Sequence, residues 1–327
     1  MQPPLTRAAA LGLALLLVAC HGLPAQEPPT PVGPGDHEVG LRHGDRDRYY
    51  VLHVPPTRPQ DGALAPRPLV LMLHGGGGNP ENVQSYGMDR VADREGFLVV
   101  YPAGSGRFDR RLLTWNAGSC CGYAFDNQVD DVGFLRAVVA DVSSRVRVDR
   151  ARVYATGHSN GGMMAYRLAA EAGDLVTAVA SIAGGMVCPP PKKDAPAVPV
   201  LHVHSKDDPR ALYPGGLGPP FPLTNVRVQH PPVEQSLAAW VAHDGCATEP
   251  TVEAPIRGAN GHTAERITWA GGRDGSEVVH WRLSGPGHGW PGSPEHMPER
   301  IIGPATTVID ANEEAWRFFA RFVRPVR

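Results

Sequence analysis

Arg152-Val153-Tyr154-Ala155-Thr156-Gly157-His158-Ser159-Asn160-Gly161-Gly162-Met163-Met164-Ala165-Tyr166-Arg167-Leu168 is the stretch on which the fold turns. Its first residues form a short apolar run suited to a buried strand, and its last continue as a helical pattern. Between them Ser159 sits in a G-x-S-x-G pattern, and Gly157, Gly161 and Gly162 keep the junction small enough for a tight, strained turn. The pattern alone is weak, because a Gly-rich turn can carry an incidental serine. Placed between a strand and a helix it predicts an elbow that presents the Ser159 hydroxyl as a nucleophile, with the helix dipole aimed at the same spot.

On either side, short apolar segments alternate with helical patterns. Tyr49 to Val54, Pro68 to Leu73, Phe97 to Tyr101, Ala151 to Ala155, Val176 to Ile182, Val198 to Val203 and Val278 to Leu283 read as strands. Val129 to Val146, Asn160 to Ala172, Val233 to His243 and Ala311 to Val323 read as helices. Alternation of this kind predicts an α/β fold, a mostly parallel central sheet with helices on both faces. Two connections are long, Ala103 to Asn127 and Pro209 to Pro232. Both leave the carboxyl ends of strands, where open parallel sheets bind ligands, so both are candidate substrate walls. Asp130 and Asp131 open a helix and are expected to cap its N–H groups.

The chain has 327 residues, of which 42% are hydrophobic and 20% charged, enough apolar material for one sizeable core. Its net charge is −2, with no basic stripe, which argues against nucleic acid as a partner. Residues 1–20 read as an export signal, Arg7 followed by an apolar run from Ala8 to Ala19. The segment ends Leu17-Val18-Ala19-Cys20, which looks like the lipobox of bacterial lipoproteins, with Cys20 as the lipidated residue. Cleavage after Ala25 is the competing reading, although Leu23 is bulky for it. Residues 21–37, rich in Pro and Gly, read as a tether, and residues 38–327 as one catalytic domain. An exported protein is expected, lipid-anchored at the cell envelope or free outside the cell, a monomer that meets the membrane only through Cys20. Cys120, Cys121, Cys188 and Cys246 suggest up to two disulfides in an oxidising compartment. A bond between the neighbours Cys120 and Cys121 is sterically awkward, so each is expected to reach Cys188 or Cys246. Zinc is the alternative, though the spacings are not of the finger type.

A serine nucleophile needs a base and an acid that orients it, and after an elbow these follow in the order Ser, Asp or Glu, His. Asp207 and Asp208 close the strand Val200-Leu201-His202-Val203-His204, and Asp208 is preferred. Among the downstream histidines, His288 lies in Gly285-Pro286-Gly287-His288-Gly289-Trp290-Pro291, a loop free to bring an imidazole over the serine. His202 and His204 share a strand face, an arrangement that suits metal ligands, but no third ligand is evident. Developing negative charge needs backbone donors. One is the N–H of Asn160; the other lies in His74-Gly75-Gly76-Gly77-Gly78, where Gly76 is preferred and Gly75 and Gly77 are alternatives. A phosphate loop is the rival reading of these glycines, but no Gly-Lys-Ser/Thr follows. Trp115 and Trp290 are candidates for a substrate-binding surface, and equally for core.

Together these residues resemble the bacterial esterases described as polyhydroxybutyrate depolymerase-like or feruloyl esterase-like, related to carbohydrate esterase family 1 within the α/β-hydrolase superfamily. The resemblance rests on Leu73-His74-Gly75-Gly76, Trp115-Asn116-Ala117-Gly118-Ser119-Cys120-Cys121-Gly122, Val129-Asp130-Asp131-Val132-Gly133-Phe134, the Ser159 elbow and Gly287-His288-Gly289-Trp290-Pro291. In such enzymes the acid closes a His-Gly-Thr-x-Asp strand end, which aligns with His204-Ser205-Lys206-Asp207-Asp208. Ser205 and Lys206 depart from it. The resemblance implies two-step hydrolysis of a small or oligomeric ester, without metal or organic cofactor. Feruloyl or acetyl esters of polysaccharide fragments come first as substrates and hydroxyalkanoate esters second, with acyl transfer on the same scaffold as an alternative.

Overall fold

The computed structural model describes residues 30–57, 65–221, 226–294 and 298–324. The segment ending at Cys20, the cleavage point after Ala25 and most of the tether lie outside the described residues. Nine principal strands build the central sheet: β1 Gly35–His43, β2 Arg46–Val54, β3 Arg67–Leu73, β4 Leu98–Pro102, β5 Val148–His158, β6 Ala178–Ile182, β7 Val200–Ser205, β8 Thr263–Trp269 and β9 Val278–Ser284. Their spatial order is β1-β2-β4-β3-β5-β6-β7-β9-β8, and two-residue strands at Thr251–Val252 and Ile256–Arg257 add to β8. The six from β4 to β9 in this order pair in parallel, while the pairings of β1 with β2, β2 with β4 and β8 with β9 are antiparallel.

The parallel core follows from the continuous apolar runs. In β3, Leu69, Leu71 and Leu73 enter one buried cluster while Val70 and Met72 enter the other, as a strand covered on both faces requires. The first face is covered by α2 Asp131–Arg145, α3 Asn160–Glu171 and α4 Val233–Asp244, the second by α1 Met88–Glu95 and α5 Ala311–Phe319. Phe134, Leu135, Val138, Val139 and Val142 of α2 are buried, the stripe that its spacing predicts.

Strand β8 and helix α1 are not among the expected elements, and other details differ as well. The tether assigned to residues 21–37 gives way to strand by Gly35, because β1 pairs with β2 from Gly35↔Val54 onward. Only Val39 of that edge strand is buried, so it lacks an apolar signature. Helix α2 starts at Asp131 rather than Val129, because Asp130 caps it, accepting a hydrogen bond from the Gly133 N–H at 2.9 Å. Cys120 and Cys121, expected to bond elsewhere, are paired with each other, the peptide between them being cis and their Cα atoms 3.1 Å apart. That bond leaves Cys188 and Cys246 as free, buried thiols.

Candidate active site

The elbow forms as the glycines predict. Ser159 joins β5 to α3 at φ 54° and ψ −117°, a backbone region that L-residues rarely occupy. A Cβ on Gly157 would meet the backbone of Gly161, and one on Gly161 the Leu73 carbonyl, so glycine alone lets strand, turn and helix approach this closely. Ser159 stands at the N-cap of α3, yet its side chain makes no capping hydrogen bond, which leaves the hydroxyl available for chemistry.

Both other polar groups converge at neighbouring strand ends. Nδ1 of His288 donates to Oδ2 of Asp208 at 2.7 Å, and both residues are buried. Oδ1 of Asp208 accepts the N–H groups of Arg210 and Ala211 at 2.7 and 2.8 Å. Burial opposes the Asp208 charge, but the His288 charge and the His204 and His288 hydrogen bonds outweigh it, holding the carboxyl well below its usual range. Asp207 serves elsewhere, its Oδ2 accepting the Gly285 N–H at 2.7 Å, at the base of the loop that carries His288. Ser205, a departure from the family pattern, holds the same loop, its hydroxyl donating to the Pro286 carbonyl at 2.6 Å. The loop is tied again by the Gly287 and His288 N–H groups to the Pro304 and Ile302 carbonyls.

The residue before the serine is one that sequence reasoning passes over. His158 is buried, and its Nε2–H donates to the His288 carbonyl at 2.8 Å, linking the elbow directly to the loop. Burial, with the His288 charge nearby, pushes its pKa down to about 3, so it stays neutral. The signal is present as the x of Gly-His-Ser, but nothing in the sequence says which way that ring points.

The glycine loop is fixed with equal care. His74 is fully buried; its Nδ1–H donates to the Gly75 carbonyl at 2.8 Å and its Nε2 accepts the Gly104 N–H at 2.9 Å. The Gly77 and Gly78 N–H groups are engaged by the Leu113 and Gly75 carbonyls. Gly76 lies against Asn160, a Cβ there falling 3.5 Å from the Asn160 Cβ and from the Phe221 ring. The two expected donors are therefore neighbours. Asn160 is held by its side chain, Oδ1 accepting the Trp115 N–H at 2.7 Å and Nδ2 donating to the Trp115 carbonyl at 3.0 Å.

Trp115, weighed equally as substrate surface and as core, is fully buried, and its indole N–H donates to the His74 carbonyl at 3.0 Å. It braces both donor segments instead of facing a ligand. Trp290 is also buried, packed against Tyr86 and His158. Of the two long connections, Ala103 to Asn127 supplies this brace, whereas Pro209 to Pro232 places Phe221 over the glycine loop. Phe221 is thus a wall residue that sequence reasoning misses, joining an apolar cluster of Ala117, Cys120, Cys121, Met163, Val187 and Val228. Asp131, expected as a helix cap, turns inward to a buried ion pair with Arg48 at 2.9 Å and accepts the Asn116 N–H at 2.8 Å. His202 and His204, weighed as metal ligands, bond to each other at 3.1 Å.

A strained serine between strand and helix, with a buried Asp–His pair tied to the same elbow on a mostly parallel sheet, is the arrangement of the α/β-hydrolase fold. The sequence profile of the family described as "Esterase PHB depolymerase" matches residues 49–218, just over half of the chain. A relative from Nocardia uniformis subsp. tsuyamanensis, described as "Putative esterase NocK", is 30% identical over 96% of this chain and 98% of its own. The chain belongs to this esterase family. Feruloyl esterase C of Emericella nidulans is 28% identical, covering 71% of this chain and 78% of its own. A bifunctional acetylxylan esterase/xylanase of Neocallimastix patriciarum is 27% identical over 69% of this chain, but that match spans only 29% of the relative. Among solved structures, the acetyl xylan esterase of Aspergillus awamori superposes with a TM-score of 0.56 at 17% identity, covering 88% of this chain and 99% of its own.

Proposed function

We propose that the protein hydrolyses carboxylic esters through an acyl-enzyme formed on Ser159. His288 removes the hydroxyl proton as Ser159 attacks the ester carbonyl, and Asp208 holds the imidazole in the tautomer whose Nε2 is free to do so. The Gly76 and Asn160 N–H groups stabilise the tetrahedral oxyanion, a donor of this kind contributing about 3 kcal/mol. His288 returns the proton to the leaving alcohol and then activates water to release the acid. The observation that carries this reading is the 2.7 Å bond from His288 to Asp208, joined to the serine elbow through His158.

The substrates we favour are feruloyl or acetyl esters of polysaccharide fragments. The names of the relatives support that class, and Phe221 offers an apolar wall beside the oxyanion space. Hydroxyalkanoate esters are the second reading, favoured by the family description. Hydrolysis of methyl ferulate, acetylated xylan and a hydroxybutyrate polymer, compared at equal enzyme, separates the classes. Turnover of the polymer alone would overturn the first. The protein acts outside the cytoplasm, tethered by a lipid on Cys20, a proposal resting on the apolar run and Leu17-Val18-Ala19-Cys20. Mass analysis of the mature N-terminus tests it, an unmodified chain beginning after Ala25 being the contrary result.

A further inference from the structure

We propose that His204, held in place by His202 and Tyr166, is a positioning residue for the Asp208–His288 pair. The inference rests on the ester-cleaving reading, in which that pair serves Ser159. Tyr166, His202 and His204 form an unbroken row through the core. The Tyr166 hydroxyl lies 3.0 Å from His202 Nδ1, His202 Nε2 lies 3.1 Å from His204 Nδ1, and His204 Nε2 lies 2.7 Å from the Ala211 carbonyl. The same Nε2 is 3.4 Å from Oδ2 of Asp208, the oxygen that also receives His288. All three side chains are buried.

The direction of the row follows from its end. A carbonyl only accepts, so His204 Nε2 carries a proton, and in the neutral ring its Nδ1 accepts from His202 Nε2–H. His202 Nδ1 then accepts from Tyr166, whose hydroxyl supplies the first donor. Each N–H or O–H points towards Asp208, and donors aligned in this way polarise one another. Burial, with His204 and His280 alongside, holds His202 far below the usual imidazole range, so it contributes hydrogen bonds and no charge.

Two contacts make this row more than a satisfied core network. His204 reaches the carboxylate directly, and it also holds the carbonyl of Ala211, whose N–H donates to Asp208 Oδ1 at 2.8 Å. His204, Ala211 and Asp208 close a ring, so the turn that carries the carboxylate cannot shift without breaking a buried bond. Removing the His204 N–H leaves Ala211 free on one side and Oδ2 with His288 alone. A displacement of about 1 Å at such a group can cost roughly 100-fold in rate.

The test uses the full chain with three variants and two readouts. The first readout is the downfield proton resonance of the His288 Nδ1–H, which reports its bond to Asp208 whether or not the protein turns over an ester. The second is kcat and KM for p-nitrophenyl acetate. His204→Met should weaken the resonance and lower kcat between about 10- and 100-fold while KM stays within about twofold. His204→Gln, which keeps a donor near the Nε2 position, should restore both. Tyr166→Phe, which keeps the ring and removes the first donor, should lower kcat in the same direction by a smaller factor, and it decides the matter if the Met variant fails to fold. An unchanged resonance and kcat in His204→Met, equal losses in the Met and Gln variants, or wild-type kcat in Tyr166→Phe would each overturn the proposal. A wild-type protein that leaves the ester intact while its resonance still responds to His204→Met would instead sink the ester-cleaving reading and uphold the positioning role.

Discussion

His288 and Asp208 meet through a 2.7 Å hydrogen bond from Nδ1 to Oδ2, while the adjacent carboxylate of Asp207 turns away to the Gly285 N–H. Neighbours in sequence thus hold two different parts of one loop, Asp208 its imidazole and Asp207 its base.

Asp208→Asn should lower kcat by about 10⁴-fold, the scale seen when an orienting triad carboxylate is neutralised and the imidazole takes the wrong tautomer. Asp207→Asn keeps an acceptor for Gly285 and should leave kcat near wild type. Side-by-side kinetics on one ester check the pair, and a collapse in the Asp207 variant alone would reverse their roles.

Trp115→Phe should destabilise the fold by about 1 kcal/mol through loss of the buried bond to the His74 carbonyl, with KM unchanged. Denaturant midpoints and KM measured together test this. A raised KM with unchanged stability would return Trp115 to the substrate surface.

Asp131→Ala should destabilise by about 3 to 5 kcal/mol, because it strands Arg48 as a buried unpaired charge and frees the Asn116 N–H. Burial already depresses the Arg48 pKa and raises that of Asp131, so the pair is costly to break. Urea unfolding gives the number directly, and a midpoint equal to wild type would contradict the buried ion pair.

Acid should destabilise the protein well before its carboxylates titrate. Burial lowers the pKa of His74 to about 4 and those of His158 and His280 to about 3, against 6.5 for an exposed imidazole. Their contribution is fully present above about pH 6.5. It is lost as the pH falls towards those values, by up to roughly 1.4 kcal/mol per pH unit for each group. His53 works the other way: burial opposes its charge, but Asp36, Asp89 and Asp93 raise its pKa. Urea midpoints at pH 5 should lie below those at pH 7, and the reverse order would contradict the assignment.

The seven strands expected from apolar runs all appear, because strands buried on both faces leave their mark in composition. Strand β1 is hidden because an edge strand with one buried side chain resembles a polar loop. The elbow at Ser159 and the hydrogen bond between Asp208 and His288 are legible from the order of residues along the chain. His158, His204, Ser205 and Phe221 are not, because their roles depend on which strand ends and loops become neighbours, and no local pattern encodes that. The same reason explains Asp131, whose local setting suggests a cap, and Trp115, whose local setting leaves surface and core equal. Long-range partners, Arg48 for one and Asn160 and His74 for the other, draw both inward. The pairing of Cys120 with Cys121 escapes a sequence reading too, since adjacent cysteines look sterically awkward partners.

Turnover of Ser159→Ala on an ester that the wild-type protein cleaves tests the nucleophile most directly. A fall on the order of 10⁶-fold is expected, with the fold and ester binding intact. Retained turnover in that variant would contradict the acyl-enzyme on Ser159.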